Sequence, residues 1–400
     1  MNPEEPHNTN RRSHYASLFF LFLFVLAHLN HHILSALLTP LLPFIRDEFN
    51  LNYTQVGLLV SAFTIAYGIS HLPSGWLSDR IGPRKLIIIS IFGGALFGLL
   101  VGLSPNYIIM VVSLISMGIF GGGYHPTAAP LISSSFESKY RGRVLGIHQI
   151  GGTASFFLAP LLAISIASYL NWRGSFITIS IFTIIFGIIF FIELVRQRYK
   201  IDNSKHAHSI IKSSIERSKH HFLISFILLG VVIQVLIFSS LTYIPLYTVD
   251  NLGGSEKTAA IFLSLAHSSG LWAGPLSGYL SDRWSRTKIL LIIGLVSGPL
   301  ILLLNYTSIG PSIILLMILL GMCQYLVMPL TEVHIISEAS EKRRSTIIGI
   351  YYFASRGGPG ILIPIMGLLI DNIGFYITYS SIGFVMIIIA VTCTTFLSRN

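Results

Sequence analysis

Charge is what this 400-residue chain has least of: Asp, Glu, Lys and Arg together make up 10% of it, against roughly 25% in a typical soluble domain. With 52% apolar residues, the chain cannot be the two or three soluble domains that its length alone would suggest. Cysteine is nearly absent. Cys323 and Cys393 both lie in apolar runs far apart in sequence, which excludes a disulfide framework and a cysteine metal spacing. Long polar segments are missing too. The longest, residues 196–220, leaves no room for a soluble output module. Gly151-Gly152 follows no strand pattern and precedes no Gly-Lys-Ser or Gly-Lys-Thr, so it is not a phosphate loop. No Ser-His-Asp spacing, two-His metal helix or nucleotide fold is read. The expectation is therefore no enzyme, no cofactor and no metal site.

What is present is a series of apolar stretches, each near the ~20 residues needed to cross the hydrocarbon of a bilayer. Hydropathy and helix breakers place twelve spans near residues 17–44, 56–77, 86–103, 107–133, 144–168 and 174–195, then 221–248, 259–280, 289–304, 312–336, 345–370 and 374–397. The first is too long for a signal-peptide core and lacks a small-residue cleavage site, so it reads as a transmembrane helix. Residues 1–16 read as a short disordered tail. The net charge of +10 is explained by position. With the first span starting in the cytoplasm, all but four of the 26 Lys and Arg residues fall in cytoplasmic segments. The exceptions are Arg46, Arg173, Lys257 and the intramembrane Arg356. That bias is the positive-inside rule, and it excludes nucleic acid as a partner in favour of the bilayer itself. It places both termini in the cytoplasm of a multi-pass cell-membrane protein.

An internal repeat divides the chain. Gly75-Trp76-Leu77-Ser78-Asp79-Arg80 recurs as Gly278-Tyr279-Leu280-Ser281-Asp282-Arg283, and the same displacement of 203 residues pairs Asp47 with Asp250, Lys85 with Lys288, Gly118 with Gly321, Pro126 with Pro329, Arg141 with Arg344 and Gly146 with Gly349. A displacement of six spans preserves orientation, so these are parallel repeats. The expected organisation is an all-α membrane protein: a cytoplasmic tail (1–16), a six-helix bundle (17–195), a cytoplasmic linker (196–220) carrying seven Lys or Arg residues, and a second six-helix bundle (221–400).

The strongest motif is Gly75-x-Leu77-Ser78-Asp79-Arg80-x-Gly82-Pro83-Arg84-Lys85. Gly75 reads as a close helix approach, and Gly82-Pro83 as a tight turn. Asp79 sits at a helix boundary, where it can meet helix-terminal N–H groups or an arginine. In these residues the chain resembles the major facilitator superfamily, essentially over its whole length. The resemblance implies two six-helix bundles around a central cavity, rocking between inward-open and outward-open states. It also implies a latch at this loop centred on Asp79 with Arg80, and more weakly on Asp282 with Arg283. The second copy lacks the glycine matching Gly82, so its turn is expected to differ. Within the superfamily, His28, Pro40-Leu41-Leu42-Pro43, Tyr53-Thr54-Gln55-Val56-Gly57-Leu58, Gly123-Tyr124-His125-Pro126 and Gly151-Gly152 before Ala159-Pro160-Leu161-Leu162 are similar to the fosmidomycin-resistance-type efflux branch. Members tend to carry an acid in the first helix, where this chain has His31-His32. Any proton role of that acid is here vacant or passed to histidine.

Polar groups at membrane depth are costly and face a bundle interior or a wet cavity. Eight of the fourteen histidines lie in spans: His28, His31, His32, His71, His125, His148, His267 and His334. On a helix His28, His31, His32, Ser35 and Thr39 share one face, which reads as a cavity wall able to exchange protons; any single histidine reads equally as an interhelical hydrogen-bonding group. His148, beside Gln149, shares a face with Gly152, Ser155 and Ala159 that suits helix packing. Tyr124-His125-Pro126 follows three glycines, which loosen the helix as a hinge, a binding site or a self-satisfied kink. Arg356 lies about 16 Å into its span at 1.5 Å per residue, among glycines expected to leave open space beside it. It needs a partner or water: either Glu332, the nearest-looking acid, or an anionic solute. The resemblance thus implies a monomeric secondary transporter of a small solute. Proton-coupled efflux leads, uptake of a small organic anion is the alternative, and a non-transporting membrane sensor is the reading from another class.

Overall fold

The hydrocarbon of a bilayer offers no water to backbone N–H and C=O groups, and a helix satisfies them within one segment. The apolar runs accordingly fold as helices in the computed structural model, which describes residues 6–137, 140–201, 220–338 and 341–397; no strand forms among them. The first half contains α1 (Pro6–Ala36), α2 (Leu38–Phe49), α3 (Tyr53–Ile81), α4 (Pro83–Gly102), α5 (Tyr107–Gly121), α6 (Tyr124–Ser134) and α7 (Arg141–Ile201). The second contains α8 (His220–Thr242), α9 (Ile244–Asp250), α10 (Glu256–Ser268), α11 (Gly270–Arg283), α12 (Arg286–Leu303), α13 (Pro311–Glu338), α14 (Glu341–Gly357) and α15 (Pro359–Leu397). The linker residues Lys205 and Lys212 lie outside the described residues. Helix α1 begins within the expected tail, at Pro6, and the first segment apolar enough to cross a membrane starts at Leu18.

Nine segments among the described residues are long and apolar enough to cross a membrane. Two of them, Arg141–Arg196 and Ile347–Thr394, run to 56 and 48 residues, more than twice what one crossing needs. Each is interrupted by one residue with positive φ: Asn171 (55°) in α7 and Gly374 (75°) in α15. Divided there, and with α10 and α11 taken as one crossing, the helices do not conflict with the twelve expected spans. Between 39% and 56% of each segment's most apolar stretch is buried. The remainder, including Ile108, Ile361 and Ile388, forms an apolar outer surface suited to lipid.

The repeat is visible in the backbone. Asn171 and Gly374 are 203 residues apart, as are the left-handed Asn50 and Gly253, positions where only Gly and Asn turn at little steric cost. The helix N-caps Asn52 and Ser255 match by the same displacement. Asn52 Oδ1 accepts from Gln55 N at 2.8 Å, and Ser255 Oγ from Thr258 N at 3.2 Å.

The halves meet at one end and part at the other. At the end formed by the α2–α3 and α9–α10 loops, Arg46 pairs with Asp250 across the halves, and Tyr53 Oη donates to Asp250 at 2.8 Å. Asp371 accepts from the Tyr53 and Thr54 backbone N–H groups, both at 2.9 Å, and from the Thr54 hydroxyl at 2.6 Å. Farther in, Ser61 Oγ donates to Gly360 O, Ser264 Oγ to Phe157 O, and Gly68 sits against Gly357. Toward the opposite end, Gly75 and Gly278, and likewise Gly146 and Gly349, have no described atom within 4 Å of where a Cβ would stand. Among the described residues no hydrogen bond or ion pair joins the halves at the Asp79 end, and we read that end as the open one.

Candidate functional site

Of the α1 stripe, His31 and Ser35 line a small cavity within the first half, with Ser90 and Thr183, while the three histidine rings are otherwise enclosed. His28, His31 and His32 are only 2%, 8% and 5% exposed, packed against α6 and α7. The cause is local. A Cβ on Gly152 would stand 2.5–2.6 Å from the His28 ring, so only glycine lets α7 come this close to α1. His28 then stacks on His148, with ring centroids 4.3 Å apart and planes at 9°, and His31 stacks on Tyr124 at 4.7 Å. The small-residue face of His148 does pack helices, while His148 itself joins the cluster. Gln149 points away and is exposed.

The break between α5 and α6 delivers Tyr124 and His125. α5 stops at Gly121 and α6 begins at Tyr124; the Thr127 hydroxyl donates to Gly123 O at 2.8 Å, which satisfies a carbonyl that the break releases. Tyr124 Oη donates to Phe24 O at 3.2 Å and lies 3.1 Å from His148 Nε2. His31 Nε2 lies 3.3 Å from Tyr67 Oη, and His71 Nδ1 2.7 Å from Tyr67 O. His32 Nε2 and His125 Nε2 are 3.0 Å apart. His28 Nδ1 lies 3.0 Å from His148 O; a carbonyl only accepts, so Nδ1 carries the proton. His28 Nε2 is buried without a hydrogen-bond partner among the described residues. His125 is the half-buried member of the group.

From here the ring contacts cross to the second half. Phe156 lies 5.1 Å from His32 and 5.5 Å from His267, and His267 Nδ1 is 2.9 Å from Tyr325 Oη. Arg356, near the C-terminus of α14, lies within electrostatic range of His28, His32, His71 and His125. Its one polar contact among the described residues is from Nη2 to Met328 Sδ at 3.4 Å, and it forms no ion pair among them. Glu332 lies within its electrostatic range without forming an ion pair with it; that carboxylate accepts from Tyr352 Oη at 2.9 Å. Nor do the neighbouring glycines leave empty space. Gly357 sits against Gly68, and Gly360 against Thr64 and Ile65, because backbone-to-backbone packing of α14 and α15 on α3 needs them.

At the open end Asp79, Arg80, Asp282 and Arg283 are all exposed. Arg80 covers the Trp76 ring at 4.1 Å and Arg283 the Tyr279 ring at 4.3 Å, a repeat-matched pair of cation–π contacts one helical turn long. Gly82 adopts φ +90°, and Pro83 opens α4 behind it. In the second copy Ser285 has φ −60°, so the turn does differ as expected. Gly75 makes no close approach among the described residues, contrary to the sequence reading: no described atom lies within 4 Å of where its Cβ would stand.

Sequence reasoning did not single out Tyr67, Phe156 or Tyr325 as site residues, and left His71 and His267 as two polar groups among many. Tyr67 and His71 are spaced one turn apart, a usable signal; aromatic Phe156 and Tyr325 are indistinguishable in sequence from lipid-facing rings.

A family profile described as Major Facilitator Superfamily matches residues 23–330 and 268–400. A probable L-galactonate transporter of Escherichia coli (strain K12) is 34% identical over 46% of this chain, and the match spans only 40% of that protein. The glycerol-3-phosphate transporter of Bacillus subtilis (strain 168) is 25% identical over 88% of this chain and 87% of its own length. Among solved structures, a bacterial homolog to the human lysosomal transporter Spinster, in an inward-facing and occupied conformation, superposes with a TM-score of 0.71 at 15% identity, over 99% of this chain and 98% of that one.

Proposed function

The chain belongs to the major facilitator superfamily, a family of multi-pass membrane transporters, and from that premise we propose that it carries a small organic anion by alternating access. The observation that carries this reading is Arg356. A guanidinium is always charged, and at membrane depth its desolvation costs at least about 2.5 kcal/mol by insertion scales. Here no described carboxylate forms an ion pair with it; Glu332 lies within electrostatic range but takes its hydrogen bond from Tyr352. A solute carboxylate or phosphate supplies the missing charge in the bidentate geometry that a guanidinium favours. The names of the two sequence relatives, one a sugar acid and one a phosphate ester, fit such a solute.

Counterflow of L-galactonate and of glycerol-3-phosphate into proteoliposomes tests the proposal. Arg356→Gln is expected to abolish anion counterflow, and Arg356→Lys to weaken it about tenfold or more, since charge is kept but the fork is lost. Unchanged anion transport in Arg356→Gln, or transport of cations alone, overturns it.

Protons are the proposed coupling ion, with Glu332 and its Tyr352 partner as the carrier in the second half. Glu332→Gln should keep counterflow and lose accumulation driven by a pH gradient. Charge bias places the Asp79 end, both termini and the linker in the cytoplasm of the cell membrane, which makes the described conformation inward-open. Asp79 then serves the cytoplasmic latch of the opposite state, with Arg80, Asp282 and Arg283. Export by proton exchange, the direction carried by the fosmidomycin-type resemblance, is the second reading; a pH gradient imposed in either sense distinguishes it from uptake.

A further inference from the structure

Three histidines in the first half converge in a way that neither anion binding nor proton coupling at Glu332 uses. One ring nitrogen from each of His28, His32 and His125 lies within 4.8 Å of the other two. We propose that these residues form a three-histidine site for a divalent transition-metal ion of the zinc class, with the fourth coordination position open.

Four features carry the assignment. The first is the ligand set. Neutral imidazole is a preferred donor for zinc-class ions, and three protein ligands with one open position is the pattern of accessible sites. His28 and His32 are four residues apart on α1, so they project from one face of the helix, and the α5–α6 break swings His125 in from across the bundle. The second is the state of the nitrogens. Donation of the His28 Nδ1 proton to the His148 carbonyl leaves Nε2 with its lone pair, buried and without a partner among the described residues. That is the outer-shell hydrogen bond which orients metal-binding histidines.

The third feature is spacing. His32 Nε2 and His125 Nε2 stand 3.0 Å apart, close to the roughly 3.3 Å edge of a tetrahedron whose metal–nitrogen bonds are about 2.0 Å; the three-nitrogen set spans up to 4.8 Å, so one ring closes in when an ion binds. Without an ion, one of these two nitrogens must hold a proton for the contact to be favourable; an ion lets both face inward as lone pairs. The fourth is position: His125 is partly exposed at the residue level, with its ring packed among those of His28 and His32. His31 and His148 are not ligands, since their Nε2 atoms face Tyr67 Oη and Tyr124 Oη. The Arg356 charge within range of all three ligands opposes a bare dication, so an anion is expected in the open position.

The test is titration of the full-length purified protein, free of any affinity tag, with Zn²⁺ and Co²⁺, followed by calorimetry and by cobalt absorption. His206, His208, His220 and His221 are first replaced by Ala to remove linker imidazoles. One ion per chain should bind. Loss of an outer-shell partner alone lowers affinity roughly 10–100-fold, so His28→Ala, His32→Ala and His125→Ala should each lower it at least about 100-fold, while His267→Ala should not. His125→Cys guards against a folding artefact: a thiolate ligand should add a sulfur-to-cobalt charge-transfer band at unchanged stoichiometry. Absence of stoichiometric binding, equal binding after replacement of all three histidines, or a His125→Cys protein that binds cobalt without the new band overturns the site.

Discussion

Gly152 shows how a single missing methyl group sets the geometry of the cluster. With a Cβ there, the His28 ring would have to move, and with it the stack on His148. Gly152→Val is therefore expected to destabilise the protein by about 1–3 kcal/mol, the usual range for overpacking. A lowered thermal midpoint in detergent would register this, and an unchanged midpoint would mean that α7 yields freely. Arg356 teaches the converse lesson at the same scale. Its cost at membrane depth was legible from sequence, and Glu332 was a reasonable partner on paper. Whether the two meet depends on side-chain reach across α13 and α14, which no spacing rule encodes; the structure spends Glu332 on Tyr352.

Helix ends hold the closed side together. α3 begins at the capped Asn52, and its first two N–H groups are met by Asp371, a carboxylate from the opposite half. An anion at a helix N-terminus contributes about 0.3–1 kcal/mol when exposed. Asp371→Asn should thus shift the balance away from the described state by roughly two- to fivefold. With Cys323 and Cys393 replaced by Ala, a Ser61→Cys reporter should react faster with an impermeant thiol reagent applied at the Asp371 side in the Asp371→Asn background. Equal reaction rates would show that the contact does not hold the halves. The apolar stretches were readable, because hydropathy and Gly82-Pro83 are local signals, but the breaks between α1 and α2, α8 and α9, and α10 and α11 inside single expected spans were not. The union of two expected spans in α7 and again in α15 was not: Asn171 and Gly374 interrupt these helices at one residue each, without a polar loop between the apolar runs.

For the whole molecule the charge bias yields a direct check on orientation. A single cysteine at position 257 should be labelled from outside intact cells and one at 205 should not; labelling of 205 would remove the twelve-span topology. The open cleft makes a second prediction. Gly75 faces no described atom within 4 Å, so Gly75→Val should leave folding yield and thermal midpoint unchanged. It should still slow counterflow severely if the cleft must close on that residue, and normal counterflow would show that Gly75 stays apart from the other half throughout the cycle. The chain's order alone determined the membrane class, the 203-residue repeat, the apolar stretches and the residue types available at depth. These follow from hydrophobicity, charge and repetition, each of which acts over a few neighbouring residues or is visible as a fixed displacement. Which histidines touch, that Arg356 forms no ion pair among the described residues, and which end is shut were decided only by tertiary structure. Those outcomes depend on helix rotations and sub-ångström approaches between segments 90 to more than 300 residues apart, where the controlling residues, Gly152, Gly357 and Phe156, carry no chemistry of their own to announce them.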